Sequence, residues 1–328
     1  MAEMKVVEIT PGVRGPEALV IATRARPEPG PGEVRIKVAA AGVNRPDVLQ
    51  RMGLYPPPEG ASDIPGLEVS GVVDALGEGA DAAWLGARVC ALLAGGGYGQ
   101  WVTVDQRHLM PVPDHMALSD AAALPETVIT VHANVFEAGG LKGGETLLVH
   151  GATSGIGVTA IALAKAAGAR VVATSRGADK AEAARALGAD VAIDASAGPW
   201  QAGAEAAGGA DVILDMVGAG YARANLAVLK PGGRWVVIAF QSGALAEVDL
   251  MTLMRKQAVL TGSTLRARSD DEKARLIAQV RQRHWPLIDS GAARIPVSAR
   301  FALDKAVDAH RLMEAGVHTG KIILDLEA

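Results

Sequence analysis

The stretch 145–160, ETLLVHGATSGIGVTA, carries chemistry in its spacing: Gly155-x-Gly157-x-x-Ala160 follows an apolar run and opens a helical one. That order brings bare backbone N–H groups against a pyrophosphate. Gly155 permits a tight turn around Ile156, Gly157 lets the backbone approach the phosphates, and Ala160 admits close helix–strand contact. The helix offers its positive dipole end to the same anion. About 20 residues further on, the fingerprint expects a carboxylate for the ribose hydroxyls. Here the chain reads Ser175, Arg176 and, one turn later, Lys180. A carboxylate would repel a 2′-phosphate, whereas a hydroxyl and two cations would hold one. The residues therefore point to NADP(H) over NAD(H), the alternative being a solvated Arg and Lys at a helix start.

These residues need a sheet behind them. After the first apolar run, strand-like segments recur at 170–174, 191–194, 211–216, 234–240 and 258–264, separated by helical stretches such as 158–168 and 179–188 or by Gly-rich ones. Near-continuous apolar strands between helices mean an α/β fold with a parallel sheet covered on both faces. Six strands complete a doubly wound set. On either side the pattern changes. Short strands at 34–40, 67–76, 88–93 and 98–104 are punctuated by turn clusters at 27–32 and 55–60. Helical periodicity at 270–283 and 304–315 and a closing strand at 321–326 end the chain. The expected organisation is a β-rich substrate domain built from 1–123 and 266–328, with a dinucleotide domain, 124–265, inserted in it. The cleft between the two is the expected site.

A net charge of −4 and a pI near 6 give no electrostatic footprint for nucleic acid. The opening MAEMKVVEIT lacks a signal-peptide profile and no apolar run is long enough to span a bilayer, so the cytoplasm is the expected compartment. One cysteine, Cys90, excludes an internal disulfide and a cysteine-rich metal site, and inside an apolar run it reads as packing. His132, His150 and His310 adjoin apolar segments and read as core histidines. Arg45 and Asp47 suggest a local ion pair.

Several motifs, in order, carry a resemblance over essentially the whole chain: AAAGVNRPDVLQRMGLYPPPEG (39–60), GLEVSGVV (66–73), DAAALPETVITVHANV (120–135), LLVHGATSGIGVTAI (147–161), LKPGGRWVVIAF (229–240) and GKIIL (320–324). They resemble the zinc-independent medium-chain dehydrogenase/reductase superfamily, above all its quinone oxidoreductases and their p53-inducible quinone oxidoreductase-like branch. The resemblance implies a six-stranded Rossmann domain inserted in a GroES-like substrate domain, an NADPH cofactor, and a homodimer or homotetramer. It places Asn44 at the nicotinamide ribose, a residue that also suits a turn-capping amide. Tyr55 falls at a substrate-pocket tyrosine, or packs its own loop. Ser154 falls beside the nicotinamide, and it also suits the N-cap of the fingerprint helix. Thr130 and Lys321 fall among nicotinamide-side contacts, and Gly218, Phe240 and Leu265 at strand or loop ends facing the cleft. The family's tyrosine near the adenine end is replaced by Ala195.

Where the superfamily's zinc enzymes carry ligands, this chain has Asn44, Leu67 and Glu126; a leucine donates nothing, so no metal is expected. GATSGIG also resembles the short-chain dehydrogenase turn, but Tyr55, Tyr98 and Tyr221 are followed four positions on by Glu59, Val102 and Asn225, never the lysine that family needs. Without a Lewis acid or a Tyr–Lys pair, hydride transfer to a simple ketone would leave an unsupported alkoxide. Acceptors that delocalise the charge, quinones or α,β-unsaturated carbonyls, relieve that demand. The resemblance selects a quinone as substrate, with an alkenal or enone as the alternative. A third possibility is an NADPH-binding protein with little catalysis, like the family's lens crystallins.

Overall fold

In the computed structural model, which describes residues 2–326, the middle of the chain forms a six-stranded sheet. Its strands are β1 (Thr146–His150), β2 (Arg170–Ser175), β3 (Val191–Asp194), β4 (Ala210–Asp215), β5 (Leu229–Val237) and β6 (Val259–Gly262). They run in the order β3-β2-β1-β4-β5-β6, every neighbouring pair parallel. This is the doubly wound order, with the chain reversing direction across the sheet between β1 and β4. All five residues of β1 are buried, as a strand covered on both faces requires. Four helices matter below: α1 (Gly155–Ala166), α2 (Ala178–Ala186), α3 (Trp200–Ala206) and α4 (Ala222–Val228). Leu148, Val172, Ile213, Trp200 and Trp235 pack into one core cluster of this unit.

The bounds of α1 and β5 differ from the sequence expectation. α1 starts at Gly155, three residues early, because Ser154 caps it. β5 starts at Leu229 instead of 234: the Pro231–Gly233 segment reads as a turn but runs inside the strand. A register shift absorbs it, Leu229 lying opposite Ala210 and Arg234 opposite Val212. β5 then ends at Val237, which leaves Phe240 beyond it and 63% exposed.

The chain divides into two units. The nucleotide unit comprises Val128–Thr264 and Arg283–Ile295; the other takes the residues up to Thr127, Leu265–Gln282 and those from Pro296 on. That second unit carries a hairpin, Glu3–Ile9 with Leu19–Ala25, and a seven-stranded sheet. The strand Glu33–Val43 pairs antiparallel with Glu68–Leu76, with Trp101–Asp105 and with the late strand Lys321–Asp325. Ile36, Val69, Val89, Leu109, Ile322 and Leu324 fill its core. Cys90, on the strand Arg88–Leu92, is fully buried, and burial pushes its thiol far up from the ordinary range. Among the described residues, no helix is long and apolar enough to cross a membrane.

Candidate active site

In the sheet-rich unit, strand register makes the first cluster. Ile322 lies opposite Val43, so Lys321 arrives beside Asn44, while Glu68 begins the strand on the other side. Asn44 donates from Nδ2 to Glu68 Oε1 (2.8 Å) and accepts at Oδ1 from Lys321 Nζ (2.6 Å). Lys321 also pairs with Glu68 directly, and the Glu126 N–H donates to Glu68 Oε2 (2.9 Å). Lys321 is 2% exposed and Glu68 0%. Two opposite charges withdrawn from water this completely hold each other's geometry, because separating them would strand a buried charge.

A buried chain continues from there. The Asp47 carboxylate accepts from the N–H groups of Asn44 (2.7 Å) and Gly66 (3.2 Å) and from the Tyr98 hydroxyl (3.2 Å). Arg45, read from the sequence as its ion-pair partner, donates to the Met313 carbonyl. Burial pushes Asp47 up to about 6, with Glu68 adding to the rise. Tyr98 meets His310 Nε2 at 3.1 Å, and Arg51 Nη1 faces His310 Nδ1 at 3.4 Å. Arg51 is only a donor, so Nε2 carries the proton and the imidazole is neutral. Burial first, then Arg51, push His310 down to about 3. It is a core histidine, as expected, but one in a polar chain.

Tyr55 sits apart from these groups, half-buried, beneath the Arg266 guanidinium, whose centre is 5.5 Å from the ring centroid. Arg266 donates to the Ala94 carbonyl (2.8 Å), to Gln50 Oε1 (2.7 Å) and to the Tyr55 carbonyl (3.3 Å). Burial, then Glu126, push the Tyr55 phenol up, so it is a neutral hydroxyl. Leu265, next to Arg266, is 8% exposed. Sequence reasoning named Leu265 and passed over Arg266 and Glu68; a lone Arg and Glu among many give no local signal.

In the nucleotide unit, Ser154 caps α1: its Oγ accepts from the Gly157 N–H (3.0 Å) and donates to the Gly151 carbonyl (2.8 Å). Val158 N–H starts the helix ladder on Ser154 O, which leaves the Gly155 and Ile156 N–H groups open at the helix mouth among the described residues. Gly157 has a second reason to be glycine, since a Cβ there would stand 2.3 Å from the Gly151 carbonyl oxygen. Ala160 is fully buried. Gly218 turns with a φ of +82°, and a Cβ on it would press on Phe240 Cα at 2.8 Å, so the turns after β4 and β5 meet there. Thr130 is 8% exposed in the helix Pro125–Val131. His132, expected in the core, is buried with Nδ1 3.0 Å from His284 Nε2.

At the end of β2, the Ser175 hydroxyl is buried and has no hydrogen-bond partner. A buried polar group without a partner costs free energy unless something supplies one. Arg176 beside it is exposed, and Lys180 is held down by burial and by Arg176. These three fit a phosphorylated ribose. Against them stands a group the sequence reading missed. Asp194, at the end of β3 and in register with Ser175, accepts from the Gly177 N–H (2.8 Å). The Ser196 hydroxyl holds its carboxyl below the usual range.

Comparison with known proteins decides the family. Residues 30–114 match the alcohol dehydrogenase GroES-like domain, and residues 155–281 the family described as zinc-binding dehydrogenase. A mycobacterial protein solved in complex with NADPH is 32% identical with a TM-score of 0.86, covering 98% of this chain and 100% of that one. The chain belongs to the quinone oxidoreductase family of the medium-chain dehydrogenase/reductase superfamily. A quinone oxidoreductase of Pseudomonas syringae pv. Tomato DC3000 is similar at 29% identity and a TM-score of 0.87, covering 98% of this chain and 100% of that one. The CurK enoyl reductase is similar at 25% identity and a TM-score of 0.85, covering 98% of this chain and 99% of that one. A phenolphthiocerol/phthiocerol polyketide synthase subunit of Mycobacterium tuberculosis is 31% identical over 94% of this chain; the chain spans 14% of that protein. The chain is thus a medium-chain oxidoreductase with the fold of a nicotinamide-binding enzyme. The residues at the superfamily's zinc positions do not fit zinc: Leu67 has no donor atom and both polar ends of Asn44 are engaged, so Glu126 alone offers a ligand where zinc needs at least three.

Proposed function

We propose that this chain is an NADPH-dependent quinone oxidoreductase working without a metal. NADPH, when bound, supplies the hydride. The Gly155 and Ile156 N–H groups hold the pyrophosphate at the mouth of α1, with Gly155 permitting the tight turn and Gly157 the close approach of the backbone. Ser175, Arg176 and Lys180 hold the 2′-phosphate, and the orphaned Ser175 hydroxyl gains its partner there. Asn44 contacts the nicotinamide ribose, Thr130 and Lys321 are cofactor contacts on the nicotinamide side, and Gly218, Phe240 and Leu265 stand at the strand or loop ends assigned to the cofactor. Tyr55, a neutral phenol fixed by Arg266, orients the acceptor by hydrogen bond or stacking. Ser154 acts as a cap, since its proton is committed to the Gly151 carbonyl.

The observation that carries the acceptor class is Leu67, which puts no donor atom at one zinc-ligand position, beside an Asn44 whose Nδ2 and Oδ1 are already bonded to Glu68 and Lys321. An acceptor that spreads the arriving charge through its own conjugation does not need a Lewis acid. The enoyl reductase among the similar structures supports a second reading, double-bond reduction of an alkenal or enone. NADPH consumption with an ortho-quinone against a short enone separates the two. Fast quinone turnover supports the first; negligible quinone turnover with rapid enone turnover replaces it. We also propose a homodimer or homotetramer. The edge strand β6 and the helix before it expose Val259, Leu260, Leu250, Met251 and Met254, an apolar edge of the kind that pairing covers.

A further inference from the structure

His150 ends β1, between β2 and β4. It is 0% exposed, with Nδ1 2.7 Å from Thr174 Oγ1 and Nε2 2.7 Å from Asn225 Oδ1. Asn225 Nδ2 donates to Asp215 Oδ2 (3.0 Å), and Trp235 Nε1 donates to the same oxygen (3.0 Å). Asp215 Oδ1 accepts from the N–H groups of Val217 (2.7 Å) and Gly218 (3.1 Å).

The protons in this chain have one consistent order. The Asp215 carboxylate only accepts, so Asn225 points its amide N–H₂ at it and its carbonyl oxygen at His150. His150 then donates from Nε2 to that oxygen. Burial lowers the proton affinity of the ring, which favours the neutral imidazole, with Nδ1 accepting from the Thr174 hydroxyl. Trp200 and Tyr221 hold the ring edge-to-face at 4.7 and 4.8 Å.

The two ends of this chain matter. Thr174 immediately precedes Ser175 and Arg176, and its carbonyl accepts from the Ala152 N–H of the glycine turn (3.0 Å). Asp215 shapes the turn that carries Gly218. Carboxyl ends of adjacent strands are where such sheets bind their ligands. We propose that His150 is a positioning residue that fixes the turn after β2 and the turn after β4 in one hydrogen-bonded frame, setting dinucleotide affinity and leaving the chemical step alone. This deepens the functional reading above and rests on it.

The test reads binding. Fluorescence titration gives Kd for NADPH and, separately, for 2′,5′-ADP, a fragment that needs only the adenosine end. His150→Phe keeps the ring and removes both bonds; Thr174→Val removes only the first donor, and covers the case in which His150→Phe does not fold. His150→Gln keeps one donor and one acceptor. Both disruptive variants are expected to raise Kd for NADPH about tenfold, to raise Kd for 2′,5′-ADP less, and to raise KM for NADPH with kcat within about twofold. His150→Gln is expected to restore most of the affinity. A folded His150→Phe or Thr174→Val that binds NADPH as the parent does overturns the inference alone. A parent chain that binds neither ligand overturns the functional reading together with it.

Discussion

The two polar clusters of this chain are built on opposite principles. Around Asn44, Lys321 and Glu68 every side-chain group named above is buried and bonded to another. Around Ser154 and Ser175 the chain leaves donors unspent: two N–H groups at the mouth of α1, a buried hydroxyl and an exposed guanidinium. A saturated cluster fixes geometry, because moving any member strands a charge. An unsaturated one holds free energy back for a ligand. The residues expected to contact cofactor are therefore of two kinds, and substitution should separate them.

The largest effect is expected from Glu68→Ala, which leaves the Lys321 charge buried without its partner. Stability should fall by roughly 3–5 kcal/mol, read from the denaturant midpoint at constant m-value. A midpoint that does not move would mean that the cluster is not held by charge.

Next comes a pH dependence on the saturated side. Asp47 is raised to about 6 from 3.8, so the folded state binds its proton more tightly than the unfolded state, and its contribution is lost as pH rises through that window. His310, lowered to about 3 from 6.5, has the opposite sign: stability falls as pH drops from 6.5 toward 3. Asp47→Asn removes only the first slope. Relative to the parent, the variant should gain stability between pH 4 and 6 by about 1.4 kcal/mol per unit. Urea midpoints across that range would show parallel curves if Asp47 keeps an ordinary carboxyl.

On the unsaturated side, Arg176→Ala should reduce the preference for NADPH over NADH about tenfold, the low end for a charge-assisted bond because the group is exposed. Unchanged kcat/KM ratios for the two cofactors would remove the 2′-phosphate from this position. The smallest effect belongs to Ser154→Ala, a lost N-cap of about 1 kcal/mol. If kcat fell by orders of magnitude while thermal stability moved little, Ser154 would be taking part in the chemistry.

The nucleotide unit was legible in the sequence because its signals are local: apolar runs of strand length, helical periodicity, and glycines at fixed offsets. The fingerprint residues Ser154, Gly155, Ile156 and Gly157 stand together at the start of α1 as their spacing requires. What the sequence hid lies in register. Lys321 and Asn44 are far apart in the chain and meet only because Ile322 pairs with Val43. Asp194 escaped notice because the search for a carboxylate stopped at the end of β2, whereas parallel pairing brings one to Ser175 from β3. The Pro231–Gly233 segment misled because a register shift lets a strand contain what normally breaks it.

Quinones and enones are soft electrophiles that arylate or alkylate accessible thiolates by Michael addition. The single thiol of this chain, Cys90, is enclosed in the sheet and held protonated, so it offers such acceptors no nucleophile. A catalyst handling these compounds at high turnover would thereby escape inactivation by its own substrate. Intact mass after prolonged exposure to excess quinone should show no sulfur adduct until the fold is opened with denaturant.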